Sequence, residues 1–99
     1  MQDSHRCEVS FYSLRGQIVF KLKKTALGKE GDISYSLKVD EGEVGLYYDT
    51  FGIKNELARV KNGESVKSRG GYVEGGNTVY VIIEATDAAN GRITVELDN

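Results

Sequence analysis

The chain has 99 residues, with 13 lysine and arginine residues against 15 aspartate and glutamate residues. This length suits one domain with its own core, and 39% hydrophobic and 28% charged residues exclude a disordered or membrane-spanning chain. The net charge of -2 gives no general attraction to nucleic acid or to an anionic membrane surface. We expect a single domain over residues 1–99 that recognises its partner locally, without binding nucleic acid or inserting into a membrane.

The N-terminal segment of residues 1–6 is polar, and we expect it to fray. It lacks the basic stretch followed by an apolar stretch that marks a signal peptide, so an exported form would have lost its leader. Cys7 is the single cysteine, which excludes an intrachain disulfide and a cysteine-based zinc site. We favour a small buried apolar side chain at this position over a lipid-bearing cysteine.

Period-two alternation of apolar and polar residues predicts strands along most of the chain. The first two run from Cys7 to Ser13 and from Gln17 to Lys24, with a break at Arg15–Gly16. The outward lysines of the second strand are typical of an exposed sheet edge. Residues 25–31 are too short for a stable helix and too polar for a strand, so they are predicted to form a loop.

The middle of the chain predicts a hairpin followed by two shorter strands. Asp32–Asp40 alternates most regularly, and Glu41–Gly42 is a tight connection to the next strand, Glu43–Asp49. After a turn at residues 49–52, Ile53–Val60 is predicted to form a short irregular strand, and Glu64–Arg69 a peripheral one.

The longest apolar run, Thr78 to Ala85, has apolar side chains on both sides and predicts a central strand. Asp87–Gly91 is predicted to reverse the chain into the last strand, Arg92–Leu97. Seven or eight strands separated by turn signals predict an all-β fold, a single antiparallel β-sandwich of jelly-roll type. The predicted core consists of Ile33, Tyr35, Leu37, Val39, Leu46, Val81, Ile83 and Val95.

Two blocks, GDISYSLKVDEGEVGLYYD and YVEGGNTVYVIIEATDAANGRITVEL, resemble the bacterial pre-peptidase C-terminal domain and the wider set of GOLD-like jelly-roll sandwiches. The matching positions are Gly31, Asp32, Leu37, Val39, Leu46, Tyr48 and Asp49 in the first block and Gly76, Tyr80, Ile82, Gly91, Ile93 and Val95 in the second. The resemblance implies a noncatalytic binding or accessory module of an exported bacterial protein, outside the cytoplasm or at the cell surface. The residues themselves are also compatible with a cytoplasmic location, and they leave the ligand and the oligomeric state open.

Catalysis has little support in the residues, and we expect no enzyme. The single histidine, His5, lies in the polar N-terminal segment and is a poor candidate for the base of a nucleophilic pair. The glycine-rich GGYVEGG stretch lacks the spacing of a phosphate-binding loop and is better explained by turns. Lys21, Lys23, Lys24 and Lys29 form a basic concentration without interleaved arginines and aromatics, so we interpret them as protection of a sheet edge.

Carboxylates collect at the predicted turns, where oxygen ligands suit a hard cation such as calcium. The candidates are Asp40, Glu41, Glu43, Asp49 and Asp87. They lack the close D-x-D-x-D-G spacing of a calcium loop. Solvated turn carboxylates are therefore the favoured interpretation, and no cofactor is expected.

Three tyrosines are candidates for ligand recognition. Tyr12 and Tyr47 fall on the polar sides of their strands, and Tyr72 lies in a glycine-rich segment. Flat aromatic rings on a sheet stack on sugars or peptides, but such rings more often cover the outer face of a sheet. Two functions follow: a module that binds a carbohydrate or protein surface, and a structural domain that meets another protein through a sheet edge at Gly70–Asn77.

Overall fold

The structure is a computed structural model and describes residues 6–23, 33–50, 52–71 and 78–97. These residues form five strands: β1 (Arg6–Lys23), β2 (Ile33–Thr50), β3 (Ile53–Lys61), β4 (Ser65–Gly70) and β5 (Thr78–Leu97). All strand pairs are antiparallel within one sheet, and none of the described residues is helical. The predicted all-β antiparallel fold is confirmed. Within the described ranges there is accordingly no helix of the length and hydropathy needed to cross a membrane.

Some predictions fall on residues outside the described ranges. They concern the N-terminal segment up to His5, the loop over residues 25–31, Lys24, Lys29 and the segment from Tyr72 to Asn77. Arg6 begins β1 and pairs with Glu96.

β5 lies inside the sheet, as its two apolar sides predict. It pairs with β1 on one side and with β2 on the other along nearly its whole length. β2 pairs with β3 over Glu43 to Thr50 and with β4 over Ile33 to Lys38, so both shorter predicted strands are confirmed. Among the described strands, β1 pairs with β5 alone, which confirms its predicted edge position.

Three predicted interruptions between strands are wrong. They are Arg15–Gly16, Glu41–Gly42 and Asp87–Gly91, which lie inside the continuous strands β1, β2 and β5. The sheet register shifts between Leu14 and Gly16 and between Glu41 and Glu43, and at both shifts β5 has one more residue than its partner, the residue count of a β-bulge. The described chain therefore forms five strands in one sheet, and a sandwich of seven or eight strands is not confirmed.

At the register shift in β2 the alternation of inward and outward side chains moves by one position. Residues Ile33 to Val39 bury their odd-numbered side chains, whereas Val44 and Leu46 are the buried even-numbered ones after the shift. The 20 residues of β5 would extend over about 66 Å if the strand were straight. Because the longest dimension of the molecule is 37 Å, the long strands bend and the sheet curves around its core.

The hydrophobic core contains all eight residues that alternation predicts, and Tyr35 is the most exposed of them at 9%. Each buried leucine, isoleucine or valine contributes about 1.5–3 kcal/mol through the removal of its surface from water. Cys7 belongs to the same core, and its burial raises the pKa of the thiol to about 11. The interpretation of this cysteine as a small apolar side chain is confirmed.

The turn between β3 and β4 holds the bend of β2. The Gly42 N–H donates to the side-chain oxygen of Asn62 at 3.1 Å, and the Asn62 N–H donates to the Gly42 carbonyl at 3.0 Å. The Gly63 N–H donates to the Val39 carbonyl at 2.9 Å. On the other side β5 passes so close that a Cβ built on Gly42 would lie 2.6 Å from the Cα of Ala88.

Replacing Gly42 with alanine should destabilise the protein because the new methyl group would overlap the backbone of β5. The φ of 84° adds backbone strain, so we expect the free energy of unfolding to fall by about 3 kcal/mol or more. Gly52→Ala is a matched control, since its φ is 80° but a Cβ there meets nothing within 4 Å. The control should lose about 1–2 kcal/mol from strain alone. Equal losses in urea denaturation would contradict the role of the close contact.

Candidate functional site

Side chains that point away from the core form two separate faces of the curved sheet. We define the polar face as the outward side chains of residues 6–12, 34–40, 65–69 and 90–96. We define the mixed face as the outward side chains of residues 17–21, 45–49, 54–59 and 80–84. Of the predicted ligand-binding tyrosines, Tyr12 lies on the polar face, Tyr47 lies on the mixed face, and Tyr72 is outside the described residues.

The polar face contains a groove of about 540 Å³. The sheet register brings the residues that line this groove together, because Phe11 of β1 and Val39 of β2 both pair with Gly91 of β5. Tyr12 and Asp40 therefore flank β5 from opposite sides, and both line the groove. The next row of lining side chains is Ser10, Arg92 and Lys38.

Gly91 lets β1 and β2 approach β5 closely beside this groove. A Cβ at position 91 would lie 2.7 Å from the Lys38 carbonyl oxygen and would overlap the ring of Phe11. Gly91 suggests a chain reversal in the sequence, but in the structure it allows β1 and β2 to pack closely against β5. Its neighbour Asn90, with a φ of 52°, also lines the groove.

Tyr12 is 90% exposed, so its ring does not cover the sheet. Lys38 and Asp40 are also exposed, and neither has a hydrogen-bond or ion-pair partner among the described residues. The groove thus places an exposed aromatic ring beside a cation and a carboxylate that no other described side chain contacts by a hydrogen bond or an ion pair. Sequence analysis found Tyr12 and Asp40 but missed Lys38, whose only signal was its outward position in β2.

The opposite end of the polar face holds ion pairs. Arg92 donates to Glu8 at 2.6 Å, and Arg6 donates to the same carboxylate at 3.2 Å. The hydrogen bond and the charge of Arg92 lower the pKa of Glu8, with a smaller effect from Arg6, so Glu8 remains ionised at neutral pH. Arg92, which sequence analysis also missed, connects this network to the groove.

Tyr47 has an outward position on the mixed face, as predicted, but it is only 9% exposed. The Lys54 ammonium group lies 4.3 Å from the centre of its ring, and Arg59 donates a hydrogen bond to its hydroxyl. Gly45 makes room for the ring, since a Cβ there would lie 3.0 Å from it. The ring is therefore largely buried and covered by cationic side chains, as expected for an aromatic residue that covers the outer face of a sheet.

The covering of Tyr47 is stabilised by further charges. Arg59 lies 3.0 Å from Glu43 and 3.5 Å from Glu56. Desolvation alone would lower the pKa of Arg59, but the charges of Tyr47, Glu43 and Glu56 together raise it. Lys54 forms an ion pair with Glu84, so both cations above the ring are held in place.

The carboxylates considered as calcium ligands are dispersed. They are Asp40, Glu41, Glu43, Asp49 and Asp87. Glu43 is paired with Arg59, and Asp87 is paired with Arg15 at 2.6 Å. In the part of the chain that the structure describes, no three histidine, cysteine, aspartate or glutamate side chains are grouped so as to hold a metal ion.

Tyr47→Phe should lower the free energy of unfolding by about 1 kcal/mol, because it removes the tyrosine hydroxyl that accepts one of the Arg59 hydrogen bonds. Tyr80→Phe is the matched control on the same face. The Tyr80 hydroxyl has no hydrogen-bond partner in the described ranges, so this variant should stay within about 0.5 kcal/mol of the parent. A Tyr47→Phe variant as stable as Tyr80→Phe in chemical denaturation would contradict this role.

Neither the comparison with protein-family models nor the search of curated proteins finds a match to this chain. Solved structures do match. The pre-peptidase C-terminal domain of collagenase from Bacillus anthracis is 15% identical with a TM-score of 0.57, over 94% of this chain and 87% of that one. The Yersinia pseudotuberculosis-derived mitogen is 12% identical with a TM-score of 0.54, over 96% of this chain and 87% of that one.

The nucleoplasmin-like N-terminal domain of Drosophila FKBP39 is also similar, at 15% identity and a TM-score of 0.51, over 100% of this chain and 96% of that one. At such identities the likeness concerns the fold alone. The resemblance to the pre-peptidase C-terminal domain is therefore confirmed as a likeness of fold.

Proposed function

We propose that the chain is a noncatalytic binding module that recognises a carbohydrate through the groove of the polar face. The observation that carries this proposal is the exposed ring of Tyr12 beside the side chains of Lys38 and Asp40, which have no partner among the described residues. A sugar has apolar faces of C–H groups and an edge of hydroxyl groups. An aromatic ring beside hydrogen-bonding side chains complements both.

A comparison of Tyr12 with Tyr47 supports a binding role for Tyr12. Tyr47 shows what a structural tyrosine looks like here: its ring is covered by two cations and its hydroxyl is bonded. Tyr12 has neither feature and is ten times more exposed, at 90% against 9%. Single exposed aromatic rings are common. The Tyr12 ring, however, lines a groove in which the side chains of Lys38 and Asp40 have no partner among the described residues.

The groove also favours binding over hydrolysis. Enzymes that hydrolyse glycosides usually place two carboxyl groups on either side of the scissile bond. Among the described residues that line the groove, Asp40 is the one carboxylate. Glu8, on the same face, is held in ion pairs with Arg6 and Arg92.

We further infer that the curved sheet is a jelly roll with two layers. The bends divide β1, β2 and β5 into halves, and β4 extends one set of halves while β3 extends the other. Each set contains four strand segments, and the total of eight lies within the predicted seven or eight. The resemblance to the pre-peptidase C-terminal domain supports a location outside the bacterial cytoplasm or at the cell surface.

A glycan array with Tyr12→Ala tests the proposed function. The parent should bind at least one glycan saturably, and the variant should bind it about tenfold more weakly or worse, because the stacking surface is lost. Its free energy of unfolding should change by less than about 0.5 kcal/mol, since the ring is exposed. Tyr12→Phe keeps the ring and should retain binding. Unchanged glycan binding by Tyr12→Ala would show that the groove is not the site.

Assembly through a sheet edge is a second candidate function, and β1 favours it. Among the described strands β1 pairs with β5 alone, so its other side is open to a partner strand. On the mixed face next to this edge, Val19 is 50% exposed beside Ile82, and Tyr80 is 41% exposed. The edge predicted at Gly70–Asn77 lies mostly outside the described residues.

Analytical ultracentrifugation tests this second candidate. If β1 mediates assembly, the parent should associate as its concentration rises, and Val19→Lys should remain monomeric because a charge replaces the apolar contact. Gln17→Lys, two residues earlier on the same outward side, is a control that adds the charge without removing an apolar group. A parent chain that stays monomeric at all concentrations would exclude assembly of copies through β1.

A further inference from the structure

The polar face carries an excess of positive charge. Its cationic side chains are Arg6, Lys38, Lys67, Arg69 and Arg92, and its anionic side chains are Glu8, Asp40 and Glu96. The face thus has two more positive than negative charges, although the whole chain has a net charge of -2. The charges of this protein are therefore segregated, with the remaining surface more acidic than the average.

The carboxylates away from the groove are already neutralised by arginines. Glu8 is contacted by Arg92 and Arg6, and Glu96 lies 3.9 Å from Arg6. Lys38 and Lys67, in contrast, are exposed and have no ion-pair partner among the described residues. These two ammonium groups provide the positive charge that a ligand would meet, and Asp40 in the groove is the carboxylate of this face that stands outside these ion pairs.

The two lysines lie along one continuous surface. Lys38 lines the large groove, and Lys67 lines a second depression of about 160 Å³ further along the same face. Lys67 lies in the Glu8 row, which is four residues or about 13 Å along β1 from the Tyr12 row. The small side chains of Ser10, Ser36 and Thr94 lie along this surface, together with the ion pair between Glu8 and Arg92.

We propose that the ligand of the polar face is an acidic glycan, a sugar polymer with carboxylate or sulfate groups, which lies across the strands from Tyr12 to Lys67. This inference rests on the proposed carbohydrate-binding function and names its substrate class. The sugar ring stacks on Tyr12, while acidic groups meet Lys38 and Lys67. Single-stranded nucleic acid carries similar charge, but its sites stack successive bases on several aromatic rings. The described part of the polar face has one exposed aromatic ring, that of Tyr12.

Isothermal titration calorimetry with two matched pairs of polymers tests the inference. The first pair is polygalacturonate and its fully methyl-esterified form, and the second is dextran sulfate and dextran. The protein should bind at least one acidic polymer and neither neutral counterpart, and added salt should weaken binding because the contacts are ionic. The acidic polymer that binds identifies carboxylate or sulfate as the anion, and either result supports the inference.

Two lysine variants locate the binding surface. Lys38→Gln and Lys67→Gln should each weaken binding of the acidic polymer about two- to fivefold, as expected for exposed charge pairs. Lys61→Gln removes the same charge from an exposed position at the end of β3, away from the polar face. This control should bind like the parent, and equal weakening by all three variants would overturn the assignment.

The other outcomes separate this inference from the proposed function. Equal binding to polygalacturonate and its methyl ester, lost in Tyr12→Ala, would overturn selection for charge and leave carbohydrate binding intact. Binding to none of the four polymers would overturn the acidic-glycan inference, and the glycan array would still decide the proposed function. Binding to polyuridylate but to no glycan in either experiment would overturn both.

Discussion

The close approach of Gly42 to β5 is the constraint on which the rest of the structure depends. β2 and β5 pair on both sides of this point, so neither strand can bend without the other. Asn62 fixes the bend through two hydrogen bonds to Gly42. Because the alternation moves by one residue at the register shift in β2, Val39 and Val44 both reach the core, while Asp40 and Glu43 point to different faces. One backbone feature therefore creates both the shared core and the two outer faces.

The two faces differ in whether they carry apolar side chains that must be shielded from water. The mixed face has an apolar row, with Val19, Ile82 and Tyr47 side by side, and Arg59 and Lys54 shield the tyrosine with their cationic groups. The polar face has no such row among its described residues and needs no cover. Its charged and hydroxyl side chains are therefore not needed to shield apolar groups from water. This is why we place the ligand on the polar face.

Alternation in the sequence predicts the core because burial depends on which side of a strand a residue occupies, and Ile33, Leu37 and Val81 are all buried as expected. It does not predict the number of strands. Left-handed glycines such as Gly42 occur both in turns and in bulges, and a bulge also restarts the alternation. A continuous bent strand and a hairpin therefore look alike in sequence, and only long-range pairing distinguishes them.

Residues of the site were predictable from the sequence only where the residue type itself was unusual for its position in a strand. Tyr12 stands out as an aromatic residue at a polar position, and its exposure follows from the edge location of β1. Lys38 and Arg92 gain their role from a register that joins three strands distant in sequence. The same limit applies to Tyr47, whose burial depends on two cations contributed by β3.

The net charge of the chain is a poor guide to its ligand because screening makes recognition local. At physiological ionic strength the Debye length is about 8 Å, which is shorter than the polar face, at about 20 Å along its strands. A ligand on this face therefore interacts mainly with Lys38, Lys67 and their neighbours and hardly with the acidic groups elsewhere. Segregation of charge allows an acidic protein to present a basic surface, and the pairing of β5 with both β1 and β2 assembles that surface.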